Sequence, residues 1–385
     1  MSKVPYIKLK EICYVNQGLQ IPISERFSED GPNRFFYITV QFLKVGHLEK
    51  FYIENPPKST ICNENDIIIV RTGSTGQILT GIKGCFHNNF FKVNYDEEKV
   101  IGKYLYYCLK TEQKQNEMKK KAGITTIPDL NHFMFLDIKI PLPSIEHQKF
   151  TVKILDSISN KIELNNKINA ELEAMAKLIF NYWFVQFDFP NEERKPYKNS
   201  GGKMVWNEEL KRDIPEGWEV KELSKVLSIK YGKDHKKLNN GIIPVYGSGG
   251  VMRYVDEYLY NDETILIPRK GSIGNLFYVN EPFWSVDTMF YTKASKKGSV
   301  LYYFYQLSKL NLQTLNVGTA VPSLTVEILN KIKLLAPEPI ILEKFNSIIF
   351  RNKEKSLSII KENQKLSELR DWLLPMLMNG QVKVK

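Results

Sequence analysis

The sequence is poor in residues that would announce chemistry of its own. It has four cysteines and five histidines in 385 residues. Cys13, Cys62, Cys85 and Cys108 form no C-x-x-C pair and no metal spacing, so they read as reduced, buried thiols rather than a disulfide framework. His47, His87, His132, His147 and His235 make no H-x-x-x-H and join no cysteine pair, which argues against zinc and leaves them as surface or hydrogen-bonding residues. No run of eighteen apolar residues occurs, and no apolar core follows the single lysine near the start. Neither a membrane span nor a signal peptide is therefore expected, and the expected compartment is the cytoplasm.

Enzyme motifs are missing as well. No glycine-rich run ends in Gly-Lys-Ser/Thr, so there is no P-loop. Asn55-Pro56-Pro57 opens like the tetrapeptide of adenine methyltransferases, but Lys58 replaces the aromatic residue that would stack on a flipped base. No glycine-rich AdoMet loop accompanies it. Pro128-Asp129 with Asp137-Ile138-Lys139 imitates a metal-dependent nuclease, yet a second copy of this region has Ser323 after Pro322 and lacks the later acid. The expectation is a chain with no catalytic residue, no metal and no cofactor.

What is present is positive charge and repetition. Lysine and arginine outnumber aspartate and glutamate by 54 to 43, a formal +11. That excess suits a polyanionic partner such as nucleic acid, the plain alternative being a lysine-rich proteome. The hydrophobic content of 43% supports folded structure, and the length allows two or three domains.

From Ile145 to Asp188 the apolar residues recur by four and three: Ile154, Ile158, Ile168, Leu172, Met175 and Ile179 share the a and d positions of one heptad frame, interrupted by Lys161 and Asn165. That is a coiled-coil seam, about 65 Å long if helical throughout. From Phe345 the same frame returns with Ile348, Ile359, Leu366, Leu369 and Leu373, interrupted by Asn352 and Lys355. The frames coincide at a shift of 194 residues, so the long helix is expected to find its partner within its own chain. Asn165 and Asn352 either fix register inside the seam or lie on a solvent-facing stretch.

The flanking regions repeat too. Residues 1–145 read as a mixed, strand-rich module with strands over 35–40, 66–70 and 90–93 and a helix over 101–109. A first helix covers 146–188. Residues 189–214 are charged and turn-rich and read as a surface linker. A second module spans 215–340, and a second helix with a tail covers 341–385, with Pro375, Asn379 and Gly380 marking the helix end. Leu9, Ile12 and Gly18 match Leu223, Val226 and Gly232, and Gly123 and Phe150 match Gly318 and Phe345. The sharpest match is R-x-G-S-x-G: Arg71, Gly73, Ser74 and Gly76 against Arg269, Gly271, Ser272 and Gly274. Insertions and deletions fall in the modules, as expected of a duplicated reader whose halves read different things.

Each R-x-G-S-x-G follows a β-rich apolar run and reads as a strand-to-strand turn carrying an arginine, a serine and exposed backbone N–H groups. The arginines could make bidentate bonds to guanine, or the glycines could merely close a hairpin. The best DNA-facing candidates are Thr39, Gln41, Arg71, Thr72 and Ser74 in the first module, and Tyr246, Ser248, Arg269, Lys270 and Ser272 in the second. The turn Tyr246-Gly-Ser-Gly-Gly250 suits close approach of backbone to DNA.

Five further stretches carry a resemblance: Ile140-Pro-Leu-Pro-Ser-Ile-Glu-His-Gln148, Ala174 to Phe189, Pro196 to Met204, Ile214-Pro-Glu-Gly-Trp218, and Leu366 to Val382. With the order module, helix, module, helix, the chain resembles the DNA specificity subunits of Type I restriction-modification systems. It departs modestly: the second copy has Ala336-Pro337-Glu338-Pro339, and Glu343 where the first has Gln148. The resemblance implies an α/β (α+β) fold with two target-recognition domains separated by an antiparallel coiled coil. It implies a non-catalytic subunit that reads a bipartite site on double-stranded DNA. Two modification subunits carrying AdoMet would bind it, and restriction subunits would supply the ATP- and Mg-dependent endonuclease. The alternative functions are a standalone DNA-binding regulator and a single-chain nuclease or methyltransferase.

Overall fold

The structure is a computed structural model that describes residues 4–43, 49–123, 128–315 and 323–382. His47, Gly318 and Pro322 lie outside the described residues. Contacts divide the chain into two compact units, Met1–Asn166 with Ile360–Lys385, and Lys167–Ile359. Among the described residues no helix is long and apolar enough to cross a membrane.

The first unit is built on a run of β-branched residues, Ile67 to Val70, all of them buried. Such a run can be satisfied only inside a sheet covered on both faces. It forms β6 (Ile67–Val70) in the antiparallel order β2 (Cys13–Gln17), β9 (Phe90–Tyr95), β6, β7 (Ile78–Leu79). A second sheet runs β4 (Tyr52–Glu54), β3 (Arg34–Ile38), β8 (Gly84–Phe86), β5 (Ile61–Cys62), with β3 and β8 parallel. The edge pair β1 (Tyr6–Lys8) and β10 (Lys139–Pro141) completes the strands. Three helices follow: α1 (Gly102–Lys110), α2 (Glu112–Ala122) and α3 (His132–Leu136). Thr111 caps α2 by accepting the Lys114 N–H on its hydroxyl. The strands expected over 35–40, 66–70 and 90–93 and the helix over 101–109 correspond to β3, β6, β9 and α1.

The second unit repeats this plan. The order β14 (Leu227–Tyr231), β20 (Met289–Ala294), β17 (Thr264–Pro268), β18 (Phe277–Val279) reproduces the first sheet. The order β16 (Gly250–Val255), β15 (Asn240–Gly247), β19 (Trp284–Ser285) keeps the parallel link in its second pairing. β13 (Glu219–Glu222) pairs with β21 (Lys333–Ala336) as β1 pairs with β10. After the short α5 (Leu223–Val226), α6 (Val300–Ser308) and α7 (Val326–Asn330) take the places of α1 and α3. Where α2 begins in the first unit, the described residues of the second form a 3₁₀ turn, Leu312–Leu315.

Residues 189–214, expected as a surface linker, are mostly exposed but carry folded structure of their own. The Phe189 ring stacks on Tyr197 with centroids 4.6 Å apart and on Trp218 at 5.1 Å. The buried Asp188 carboxylate accepts bonds from both the backbone and the side-chain amide of Asn199. A hairpin, β11 (Met204–Asn207) with β12 (Arg212–Pro215), closes the segment. Charged, turn-rich composition hid an aromatic clasp that a window average does not register.

Both long helices are present: α4 (Ile145–Phe180), which runs on through one wide π-turn at Asn181–Val185, and α8 (Pro339–Met378). Each contributes to both units. In the first unit His147 Nε2 lies 2.9 Å from the Leu377 carbonyl, while Asn165 meets Glu362 and Asn363. In the second, Lys353 Nζ pairs with Glu173 at 2.8 Å. As one residue number rises the other falls, so the pairing is antiparallel. Gln148 is fully buried at the entry of α4, bonding Ile101, Lys99 and Pro143, whereas its counterpart Glu343 is exposed. Pro375 sits inside the last turn of α8 rather than beyond it.

The seam differs from the expected frame at its ends. Met175, Ile348 and Leu369 are 49%, 39% and 43% exposed, and Leu155, Ala176, Phe180, Ile349 and Leu374 are buried instead. Ile154, Ile168, Leu172, Ile179, Leu366 and Leu373 are half-buried, whereas Ile158 and Ile359 are buried. The shift is one residue later at both ends of each helix, whereas the drift of about 20° per heptad against a strict seven-residue repeat would move the buried face in opposite directions at the two ends. There the module cores take over: Phe345 packs edge-on against Phe184 at 5.0 Å and lies near Phe180 and Trp183. Asn165, 1% exposed, donates to Glu362 at 2.9 Å and Asn363 at 2.8 Å, a polar pin of the kind that fixes register. Asn352 is only half-buried, with its amide 3.6 Å from the Met175 sulfur.

Replacing Phe345 with alanine is expected to cost about 3–5 kcal/mol of stability, and Met175 with alanine less than about 1 kcal/mol, in urea unfolding. Equal costs would restore the unshifted seam.

Candidate nucleic-acid interface

In the first unit the R-x-G-S-x-G segment joins β6 to β7, as a strand-to-strand turn. Gly73 has φ +94°, a left-handed conformation that a side chain strains, and its absent Cβ would touch Val40. That contact lays the loop against the end of β3, bringing the Thr39–Gln41 segment beside Arg71–Ser74. Gln41 and Ser74 are exposed, while Thr39 and Thr72 are half-buried.

Arg71 is not a free base reader. Its Nε and Nη2 donate to the two Asp129 oxygens at 2.6 and 2.8 Å, and the Thr72 hydroxyl adds a third bond at 3.0 Å. The fork that could have met guanine is spent inside the chain. The Arg71 guanidinium and the Thr72 hydroxyl hold the Asp129 carboxyl below the usual carboxylate range. Thr75 braces the same turn by donating to the carbonyls of Arg71 and Pro128. Asp129 therefore shapes a loop, and its supposed nuclease companion Asp137 pairs with Lys8 and with Lys121. Among the described residues no group of acids, histidines and cysteines gathers as a metal site. Burial pushes the thiols of Cys13 and Cys108 up to about 12 and that of Cys62 to about 11, which keeps them protonated and inert.

The second unit builds the same loop pair with other side chains. Gly271, at φ +82°, lies against the Ser248 hydroxyl, and Asn275 Nδ2 donates to the Ser248 carbonyl at 3.1 Å. The 246–250 turn and the 269–276 loop are thus neighbours. Leu324 N–H bonds the Arg269 carbonyl as Leu130 N–H bonds that of Arg71, so Ser323 occupies the Asp129 position. Arg269 has no carboxylate partner among the described residues, and its guanidinium lies 5.7 Å from the Tyr231 ring centroid. Lys270 and Ser272 are exposed and Ser248 half-buried. Tyr246 is half-buried: its ring packs on Phe277 and Phe283, and burial pushes its phenol up to about 12.

The model of the Type I restriction modification DNA specificity domain matches the sequence twice, over residues 1–174 and 215–367. The chain belongs to that family. Each match takes in one module and most of the helix that follows it. Among curated relatives, the MjaVIII Type I restriction enzyme specificity subunit of Methanocaldococcus jannaschii is 28% identical over 384 residues, 91% of this chain and 86% of the relative. The MjaIX specificity subunit of the same organism is 29% identical over 325 residues, 77% of this chain and 73% of the relative. A crystal structure of the Type I restriction-modification system S subunit from M. genitalium shares the fold, with a TM-score of 0.63 over 99% of this chain and 96% of that chain at 18% identity.

Within this family's duplicated architecture the two arginines have diverged through one position. Asp129 was visible in the sequence only as a false nuclease acid; the informative signal was its replacement by Ser323. Folding lowers the Asp129 pKa, so its ionised form favours the folded chain. That contribution is complete above the unfolded value near 3.9 and fades as the pH falls through the lower folded value. Asp129→Asn is therefore expected to be less stable at pH 7 by roughly 1 kcal/mol, since the pair is partly solvated. The difference from the unsubstituted chain should shrink below about pH 4 in urea titrations. A pH-independent difference would remove the ion pair from the account.

Proposed function

We propose that this chain is the DNA-recognition subunit of a Type I restriction-modification complex. Residues 1–145 and 215–340 act as its two target-recognition domains, each reading half of a bipartite sequence. The observation that carries the reading is the duplicated loop pair: one backbone plan presenting Gln41 and Ser74 in one copy, with Arg71 as an internal brace, and Arg269, Lys270 and Ser272 in the other. Base edges are read by such side chains, while phosphate contacts set position. Two readers on one chain also gain avidity, because the second engagement is intramolecular. The helices set the number of unread base pairs and dock the modification subunits. Their exposed apolar residues, including Leu178, Ile348, Phe350 and Trp372, support a partner surface.

Catalysis belongs to the partners in this reading. Asp129 and Asp137 are each engaged by cations of the chain, which supports a subunit that leaves AdoMet, Mg and ATP to the modification and restriction subunits. Co-expression with a modification subunit and mapping of methylated adenines is expected to reveal a two-part motif with a constant gap. An uninterrupted short motif would sink the two-reader model, and cutting or methylation by the lone chain given Mg²⁺ or AdoMet would return it to the enzymes.

Arg269→Ala is expected to weaken binding by roughly 1–3 kcal/mol on DNA carrying the second half-site, with no loss of discrimination at the first. Competition binding with DNAs altered in either half measures this, and equal losses on both would count against it. Removing one heptad from both helices should change the gap between the methylated half-motifs and leave the half-motifs themselves unaltered.

A further inference from the structure

The first unit carries a charged helix, α2, with four lysines and two glutamates. In the first unit α2 is fastened to the glycine-rich loop: Gln115 Nε2 donates to the Gly76 carbonyl at 3.0 Å and to the Leu109 carbonyl at 2.9 Å. Met118 packs beneath Gly76. Lys119 lies one turn beyond Gln115 on the same helical face, and Lys110 ends α1. With Gly73, Ser74 and Gln77 these two lysines line an open groove along the loop.

Both lysines are exposed, and neither has a carboxylate partner among the described residues. Their neighbours differ: Lys114 pairs with Glu117 at 2.7 Å and Lys121 lies 3.6 Å from Asp137. The second copy keeps α1 as α6, but Ser308, followed by the exposed Lys309, stands at the Lys110 position, and the described residues that follow form only the turn Leu312–Leu315. From Leu310 to Val326 the sequence has no charged residue at all.

We propose that the groove between the first glycine-rich loop and α2 is a phosphate track for duplex DNA, with Lys110 and Lys119 as its cations, and that the second domain lacks such a track. The inference rests on the reading of DNA by these loops. A base-reading loop places the flanking backbone within reach of whatever is rigidly attached beside it, and here that is a pair of ammonium groups without carboxylate partners, Lys110 lying 5.1 Å over the Tyr106 ring. Phosphate contacts carry no sequence information, so they can differ between domains without altering the pattern of readout. They do set salt dependence: each neutralised phosphate contributes about 0.9 to the slope of log Kobs against log salt. The two half-sites therefore contribute unequally to it. The plainer role for lysines in a last helical turn is to offset the helix dipole, which leaves that slope untouched.

The test is fluorescence-anisotropy titration of the full chain, in complex with its modification subunits, on a mixed-sequence duplex across a KCl series. The Lys110→Gln/Lys119→Gln variant is expected to flatten the slope by about 1.8 at two phosphates, and Lys110→Arg/Lys119→Arg to retain the original slope. On duplexes carrying a single half-site, once the motif is mapped, the flattening should occur on one half-site only, and Lys270→Gln should act on the other. An unsubstituted complex that fails to bind duplex DNA would overturn the recognition reading itself. A complex that binds but keeps its slope in the glutamine variant would overturn the phosphate track alone, and loss of modification subunits from that variant at unchanged slope would give the groove to a protein partner. Equal flattening on both half-sites would overturn the asymmetry.

Discussion

Neither long helix can bury its apolar face alone, and the rest of the structure depends on how that constraint is met. Isolated helices gain little from propensity, and stability comes from packing an amphipathic face. Here the face of α4 is covered by α8, antiparallel, within each unit. The pairing draws the last residues of the chain into the first core, where Leu374 and Leu377 pack with Leu155 and Tyr104. It likewise places Phe345 among Phe180, Trp183 and Phe184 in the second. The first core is finished by helix from the far end of the sequence, and the second by the two helices that flank its module. Asn165 supplies the element that apolar packing lacks: its amide has hydrogen-bond partners only in one register, so a slip would leave it buried and unpaired.

On this scaffold a duplicated loop has taken two roles through a single exchange. In both copies a left-handed glycine follows the arginine and a leucine N–H binds the arginine carbonyl. With aspartate opposite, the guanidinium is neutralised and the loop gains a brace. With serine opposite, no carboxylate competes for the arginine among the described residues, and the guanidinium lies over an exposed tyrosine. A bidentate ion pair is strong enough to decide what an arginine is available for, and removing one partner changes the loop's chemistry without changing its path.

The sequence determined a good deal by itself. Heptad spacing, the match of Ile154 with Ile348 and the repeated R-x-G-S-x-G announced two copies of a module and a helix, because helical and strand periodicity are local and survive duplication. β6 was legible as a continuous β-branched run, and α1 as a short apolar helix, for the same reason. Tertiary structure alone decided the rest. Which residue of a heptad faces inward depends on the cores at each end, so Ala176 and Phe180 are buried while Met175 is exposed. Whether an arginine is free depends on a carboxylate 58 residues away, and no spacing rule couples Arg71 to Asp129. Whether a charged, turn-rich stretch is a linker depends on the rings that close on it, as Tyr197 and Trp218 close on Phe189. Local pattern sets which surfaces a segment must bury; only the folded chain chooses what buries them, because the partners are brought together by contacts far apart in sequence.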